Sequence, residues 1–486
     1  RGQVRSPAFT PDGRQVFFLQ SAATEREQSL HRVVLESGRV EQFLQVKDLL
    51  GNEALEESDE ELARRERQRV KSSGIVSFEV SPDSQFVVVP VSGRVFLASL
   101  TDGTHQELTL GGEGAALDPR LSPDGKYLAY VRERSLWVYD FAGRRSRRLA
   151  SPRSDAESIG SAEFVAQEEM DRDHGYWWAP DSRSLAYQKT DESANATVEL
   201  FTISVWGGAS TEIKWDREAY PYVTQVRWSQ NAPLTVAVQD RGQNNIVLMA
   251  VDERGNTREL HREADPHWVA IDSDVPVWLP DGSAFLWSSE RDGDWQLELR
   301  TAAGELSRVL VPSKVGYRAL AGMSGDGVYA IVDVGNDPTS QQAARVRLAD
   351  GELTLLRKRE GFHHALAVGP NGAAVVESEG LGNKPRVQVL AASGERILPS
   401  RIADAEAGPV TEIFALQGER MYHAAVTKPA GLKAGQKVPG LFYVYGGPTS
   451  VTVDRRGSRL LLDRWLARAG FVVFRIDGRG TPRRGR

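Results

Sequence analysis

The 486-residue chain contains no cysteine. That absence excludes disulfides, a thiolate nucleophile and cysteine-ligated zinc. No run of about eighteen apolar residues occurs, so no membrane-spanning helix is expected. Base is not in excess either: 60 basic and 66 acidic side chains leave a formal charge of −6, which argues against nucleic acid as a partner. The opening residues, RGQVRSPAF, hold neither a methionine nor an apolar leader, so a signal peptide is expected to be already removed or never present. What is there, 40% hydrophobic and 26% charged residues, has the balance of a soluble globular protein. The length exceeds one ordinary compact domain, which points to two domains or a repeat array.

A repeat is the strongest signal. A few β-formers, then Pro-Asp-Gly or a relative of it, then another β run, occur at 6–19, 77–90, 118–131, 175–188 and 275–288. Weaker copies lie at 225–238, 319–332 and 364–377. Proline presets φ and the next-but-one residue accepts a positive φ, so each phrase predicts a tight hairpin. A second strand pair follows each one, as in SLWVYDFAGRRSRRLA (135–150). Four strands at a spacing of roughly 40–50 residues predict propeller blades, and eight copies predict eight blades.

One interval departs from the rhythm. GNEALEESDEELARRERQRVKSSG (51–74) carries Ser58 and Glu61 in capping-box spacing, with Glu60/Arg64 and Glu61/Arg65 as i,i+4 pairs. These predict a polar helix at about 55–72, inserted in a blade and projecting from it. Near residue 410 the style changes again. LFYVYGGPTS (441–450), LLLDRWLARAGF (460–471) and VVFRIDGRG (472–480) read strand, helix, strand with glycine-rich exits, the start of an α/β unit too short to bury its own core. The expected division is 1–405 for the propeller and 406–486 for the incomplete second part.

FVAQEEMDRDHGYWWAPD (164–181) sets Glu168 beside Glu169 just before three aromatics. On an extended strand these two acids would point to opposite faces, so only a bend or helical turn lets both serve one ligand. A solvated loop and a carboxylate clamp for a cation both fit the residues alone. Tyr176, Trp177 and Trp178 are expected in blade core, and Asp477 and Arg479 in organising a turn.

Taken together, QEEMDRxxGYWW, the Pro-Asp-Gly propeller, VYGGP and IDGRG in this order resemble the dipeptidyl peptidase IV branch of the prolyl oligopeptidase family of serine peptidases. The style is closest to Gram-negative bacterial members and to dipeptidyl peptidases 8 and 9, which share the pattern EELARRERQRVKSSGI (60–75). The resemblance implies a mainly β fold: an eight-bladed β-propeller followed by the first strands and helix of an α/β-hydrolase domain. It implies release of N-terminal dipeptides with penultimate Pro or Ala from peptides with a free N-terminus. By match, Glu168 and Glu169 would bind the substrate's α-ammonium, and Tyr445 would stabilise the oxyanion. An arginine of the inserted helix would help to hold the N-terminal end; counting back from Gly74-Ile75 gives Arg69, with Arg65 one turn earlier as the fallback and Arg67 facing elsewhere. No cofactor and no metal are implied. The resemblance also implies a periplasmic or secreted location, the cytoplasm remaining open, and a homodimer as one further partner.

A serine hydrolase of this fold needs G-x-S-x-G, with its acid and histidine following. No such motif occurs; GMSGD (322–326) lacks the last glycine and falls in a blade. The triad is therefore expected beyond residue 486, in a C-terminal catalytic fragment or chain packed against this one, with TPRRGR (481–486) as a protease-sensitive or disordered terminus. A non-catalytic peptide-binding propeller, and an oligopeptidase or acylaminoacyl peptidase of the same fold, are the alternatives.

Overall fold

The computed structural model describes residues 1–403, 408–447 and 450–482. The expected division between 405 and 406, Pro448 of VYGGP and the last four residues of TPRRGR lie outside the described residues. All eight repeat phrases become the first hairpin of a sheet. Eight antiparallel sheets follow one another at residues 5–44, 79–107, 117–150, 157–213, 222–264, 277–311, 317–355 and 362–397, hereafter blades 1 to 8. Each has four strands in chain order; blades 1 and 4 gain a short fifth at Ser73–Gly74 and Tyr176–Trp178.

The phrase folds because its polar atoms satisfy one another. In blade 3, Ser122 Oγ donates to Asp124 Oδ1 at 2.7 Å, and that oxygen accepts the Lys126 N–H at 3.1 Å. Gly125, at φ 70°, closes the turn. The same bonds recur at Thr10/Asp12/Arg14 and Ser81/Asp83/Gln85. The hydroxyl residues Thr10, Ser81, Ser122 and Ser324 are buried, so hydrogen bonding here offsets a desolvation cost. Adjacent turns also touch: Asp124 N–H donates to Ser182 Oγ at 3.0 Å, and Asn231 Nδ2 to Pro280 O at 2.8 Å.

Apolar packing runs around a ring. Leu30 and Phe96 join blades 1 and 2, Leu128 and Val88 join 2 and 3, and Val138 and Leu185 join 3 and 4. Leu200 and Val236 continue to blade 5, Leu248, Phe285 and Val332 to blade 7, and Ile331 and Val376 to blade 8. Val16 and Phe18 then meet Val375, Val387 and Leu398, closing blade 8 onto blade 1. At this seam Arg401 N–H donates to Gly2 O at 3.0 Å, and Gln20 Nε2 to Pro399 O at 2.8 Å.

Among the described residues, four α-helices interrupt the strands: α1 (Val46–Leu50), α2 (Asp59–Arg67), α3 (Phe164–Glu169) and α4 (Leu461–Arg468). The inserted helix is α2, capped by Ser58 Oγ accepting Glu61 N–H at 3.2 Å. Glu61/Arg65 forms at 2.8 Å as expected, but Arg64 turns to Glu61 at 2.9 Å rather than to Glu60, since Glu61 faces inward beside Arg65. Beyond the ring, a mixed sheet orders its strands Thr411–Gln417, Met421–Thr427, Val472–Ile476 and Gly440–Tyr443, the last two parallel with α4 between them in the chain. The segment 455–458 that leads into α4 rests on blades 7 and 8. Arg455 N–H donates to Thr339 O at 2.9 Å, Ser458 Oγ to Glu379 at 2.9 Å, and Arg456 lies 4.2 Å from the Phe362 ring centre. Gly457 approaches so closely that an added Cβ would stand 2.7 Å from Leu381 O. Asp477 takes the expected organising role, accepting Thr452 N–H and Oγ1–H at 2.8 Å each, while Arg479 pairs with Glu419. Among the described residues, no helix is long and apolar enough to cross a membrane.

Candidate functional site

The two neighbouring acids stand on a helical turn, not a strand: α3 ends at Glu169, with Glu163 as its N-cap. Six residues are too few to hold themselves as a helix, so the surroundings must fix α3. They do so through Arg172, whose side chain is 2% exposed. Its Nη2 donates to Glu163 Oε2 at 2.7 Å, Nη1 to Gln188 Oε1 at 2.7 Å and to His174 O at 3.0 Å, and Nε to Val223 O at 2.9 Å. Gln188 Nε2 in turn donates to Glu163 at 2.6 Å. One buried ion pair thus ties both flanks of α3 to blades 4 and 5. Nothing in the residue spacing marked Arg172 or Glu163 for this role, although Arg172 stands inside the QEEMDR motif.

A cavity of about 620 Å³ opens beside α3. Glu169 and Met170 line it from one side, Tyr222, Trp268 and Arg318 from blades 5 to 7 and the loops between them, and Tyr445 from the mixed sheet. Asp171 and Asp272 add negative charge to this wall, which suits a cationic group. Glu168 is half-buried one residue back and is not part of the wall. Tyr445 leaves the end of Gly440–Tyr443 and folds back over Gly447, where an added Cβ would lie 2.7 Å from the phenolic oxygen. The second glycine of YGG is therefore what lets the ring take this position.

Arg69 lies outside α2. The helix stops at Arg67, and Arg69 adopts φ 55° as an exposed residue of the following turn. The i,i+4 phase that put Arg65 and Arg69 on one face thus does not reach Arg69. Arg65 is buried and held by Glu57 and Glu61. Arg67, expected to face elsewhere, is the arginine that touches α3: its Nη1 donates to Gln167 Oε1 at 3.1 Å and its guanidinium sits 5.4 Å from the Phe164 ring centre.

On its other side α2 borders a second cavity of about 850 Å³ along the inner strands of blades 2 to 5. Arg64 and Arg65 enter its lining together with Glu79, Asp118, Arg120 and His174. Burial opposes charge on Asp118, but His174 at 3.0 Å, Arg120 and Arg64 outweigh it and hold the carboxyl at about 2. Burial pushes Glu79 up to about 7 in spite of its bond from Leu121 N–H. Tyr176 and Trp177 are buried in blade packing, and Trp178 Nε1 donates to Arg120 O at 3.2 Å. Among the described residues, no three His, Asp or Glu side chains gather as a metal site.

Known proteins align with this arrangement. A family model described as the dipeptidyl peptidase IV (DPP IV) N-terminal region matches residues 81–194 and 193–380. Human dipeptidyl peptidase 8 is 29% identical over 163 residues, covering 28% of this chain and 18% of that protein. The probable dipeptidyl-aminopeptidase B of Neosartorya fischeri is 27% identical over 202 residues, covering 39% of this chain and 20% of that protein. The crystal structure of Porphyromonas gingivalis dipeptidyl peptidase 4 superposes with a TM-score of 0.81 at 20% identity, over 99% of this chain and 72% of that one. That last likeness is one of fold. With 300 consecutive residues from 81 to 380 under the family model, the chain belongs to the dipeptidyl peptidase IV N-terminal region family.

Proposed function

We propose that this chain is the substrate-selecting part of a serine-type dipeptidyl aminopeptidase. The observation that carries the reading is that Glu169, from the propeller, and Tyr445, from the mixed sheet, line one cavity. In the proposed mechanism an unblocked peptide enters with its α-ammonium on Glu168 and Glu169. An ammonium offers three donors and no acceptor, so two carboxylates give it charge-assisted bonds. Both acids repel each other until a cation arrives, which disfavours a blocked N-terminus. A nucleophile at a fixed distance from that anchor then cuts after the second residue, Pro or Ala. As the carbonyl becomes tetrahedral, the Tyr445 hydroxyl donates to the oxyanion, a contribution of typically about 10²–10³ in rate. Serine, histidine and aspartate are proposed to come from sequence beyond residue 486, packed on the apolar side of the mixed sheet. Arg69 is proposed to swing inward to the substrate's N-terminal end, with export to the periplasm.

The test uses the full-length gene product and two chromogenic substrates, Gly-Pro anilide and its N-acetyl form. Cleavage of the free amine alone is expected. Cleavage of both would instead indicate an oligopeptidase or acylaminoacyl peptidase, and cleavage of neither a non-catalytic binding propeller. Glu168→Gln with Glu169→Gln is expected to lower kcat/KM for the free-amine substrate by about 10²–10³. Arg69→Ala and Arg67→Ala, compared side by side, should raise KM more for Arg69.

A further inference from the structure

The outer strand of blade 3, Arg145–Ala150, has no carboxylate to answer its charge. Residues 141–154, FAGRRSRRLASPRS, hold five arginines and no acid in a chain whose net charge is −6. Elsewhere the outer strands read VEQFL, HQE, TEI, TRELHREA, LSRVLV, LTL and GERI, with at most one arginine unmatched by an acid of the same strand. Among the described residues, none of Arg144, Arg145, Arg147, Arg148 and Arg153 enters an ion pair. The nearest acid on the hairpin, Asp140, is occupied by its own turn, accepting Ala142 N–H at 3.0 Å and Gly143 N–H at 3.1 Å.

Geometry adds to charge. The strand pairs on one side only, with Ser135–Asp140, so its other side presents unpaired backbone groups. Arginines stand on both faces of it. Arg147 leans toward blade 4, its Nη1 donating to Val205 O at 3.1 Å beside Trp206, which is 59% exposed. Arg148 lies on the opposite face, 5.6 Å from the Trp137 ring centre. Arg145 and Arg148 are exposed. A flat anionic surface would meet one face of such a strand; an extended chain lying along the edge meets both.

We propose that the outer edge of blade 3 is a docking strand for an acidic, extended segment of a partner protein. The segment adds as a fifth strand, its backbone completing the ladder and its adjacent carboxylates, which an extended chain turns to opposite faces, taking bidentate bonds from the arginines on either face. This surface lies apart from the cavity lined by Glu169 and Tyr445, and the inference does not rest on the proposed activity.

The probe is a fluorescent, N-acetylated decapeptide of Glu-Glu pairs separated by single Thr or Val residues, which as a strand shows carboxylates on both faces, titrated against the full-length protein by anisotropy. Its blocked end keeps it from the proposed ammonium site. Saturable binding that weakens with salt is expected, and R145E with R148E should weaken it about tenfold or more, at unchanged Tm. The charge-neutral pair R145Q and R148Q should fall between. Methylating alternate backbone nitrogens of the peptide should abolish binding. The proposal is overturned by no binding, by equal binding of a Lys-for-Glu peptide, or by equal binding after N-methylation. It is overturned equally if vesicles of anionic phospholipid, or double-stranded RNA, bind through these arginines while the peptide does not.

Discussion

Blades 1 to 8 and the mixed sheet at 411–476 treat their apolar surface in opposite ways. In the ring, each blade packs between two others, and Phe18, Leu128, Leu200, Phe285 and Val376 are all buried. In the mixed sheet and the α4 that accompanies it, Phe442 is 71% exposed, Val444 just past its strand 69%, and Trp465 on α4 64%. The difference follows from closure. A ring of sheets gives every blade two neighbours, whereas an open sheet of four strands, with Thr411–Gln417 at one edge and Gly440–Tyr443 at the other, has edges and apolar surface left over. Exposed apolar clusters of this kind mark an interface, here the seat proposed for the catalytic remainder.

The comparison can be broken at its strongest point, the seam between blades 8 and 1. Phe18→Ala should cost about 3–5 kcal/mol in denaturant unfolding, because removing a fully buried ring forfeits its apolar burial and leaves a cavity in the packed seam. Next comes Arg172→Met, which strands Glu163 without its partner. A loss of about 3–5 kcal/mol is expected, with KM rising more than kcat falls, as α3 loses its anchor. The seam should also answer to pH. Burial, with Arg401 nearby, lowers His31 to about 4 from 6.5, so the folded state binds this proton less readily than the unfolded one. Stability from this group is then full above pH 6.5 and falls as pH drops toward 4. Thermal melts of His31→Gln should lack that part of the acid slope. At the small end, Trp465→Ser should change stability by no more than about 0.5 kcal/mol while reducing binding of a hydrophobic dye. A large loss would mean that the exposed face is packed after all.

The ring was legible because its signal is local. A buried hydroxyl, a carboxylate two residues on and a positive-φ residue can be read from five consecutive letters in blades 1, 2, 3 and 7, and eight copies of the wider hairpin phrase leave little freedom in architecture. Ser58 and Glu61 announced α2 by the same kind of short-range rule. What escaped were facts set by the meeting of distant segments. Arg172 and Glu163 are ordinary charges until Gln188 and Val223 are brought around them. Arg67 reaches α3 only because Gln167, a hundred residues away, folds against α2. The expectation for Arg69 failed in its helical phase, since the chain leaves the helix just before it. Of the candidate site, Glu169 and Tyr445 were singled out by the motif match, and no spacing within the chain would have joined them at one cavity.

Seven of the eight blade contacts join stretches that neighbour one another in the chain, while the bond from Gln20 to Pro399 spans 379 positions. As the protein emerges from the ribosome, each new blade can therefore settle on the one before it. Blade 1 alone must wait, its flank bare, until nearly four hundred residues have been made. The slowest and most aggregation-prone moment in this molecule's birth should be the closing of blade 8 onto blade 1.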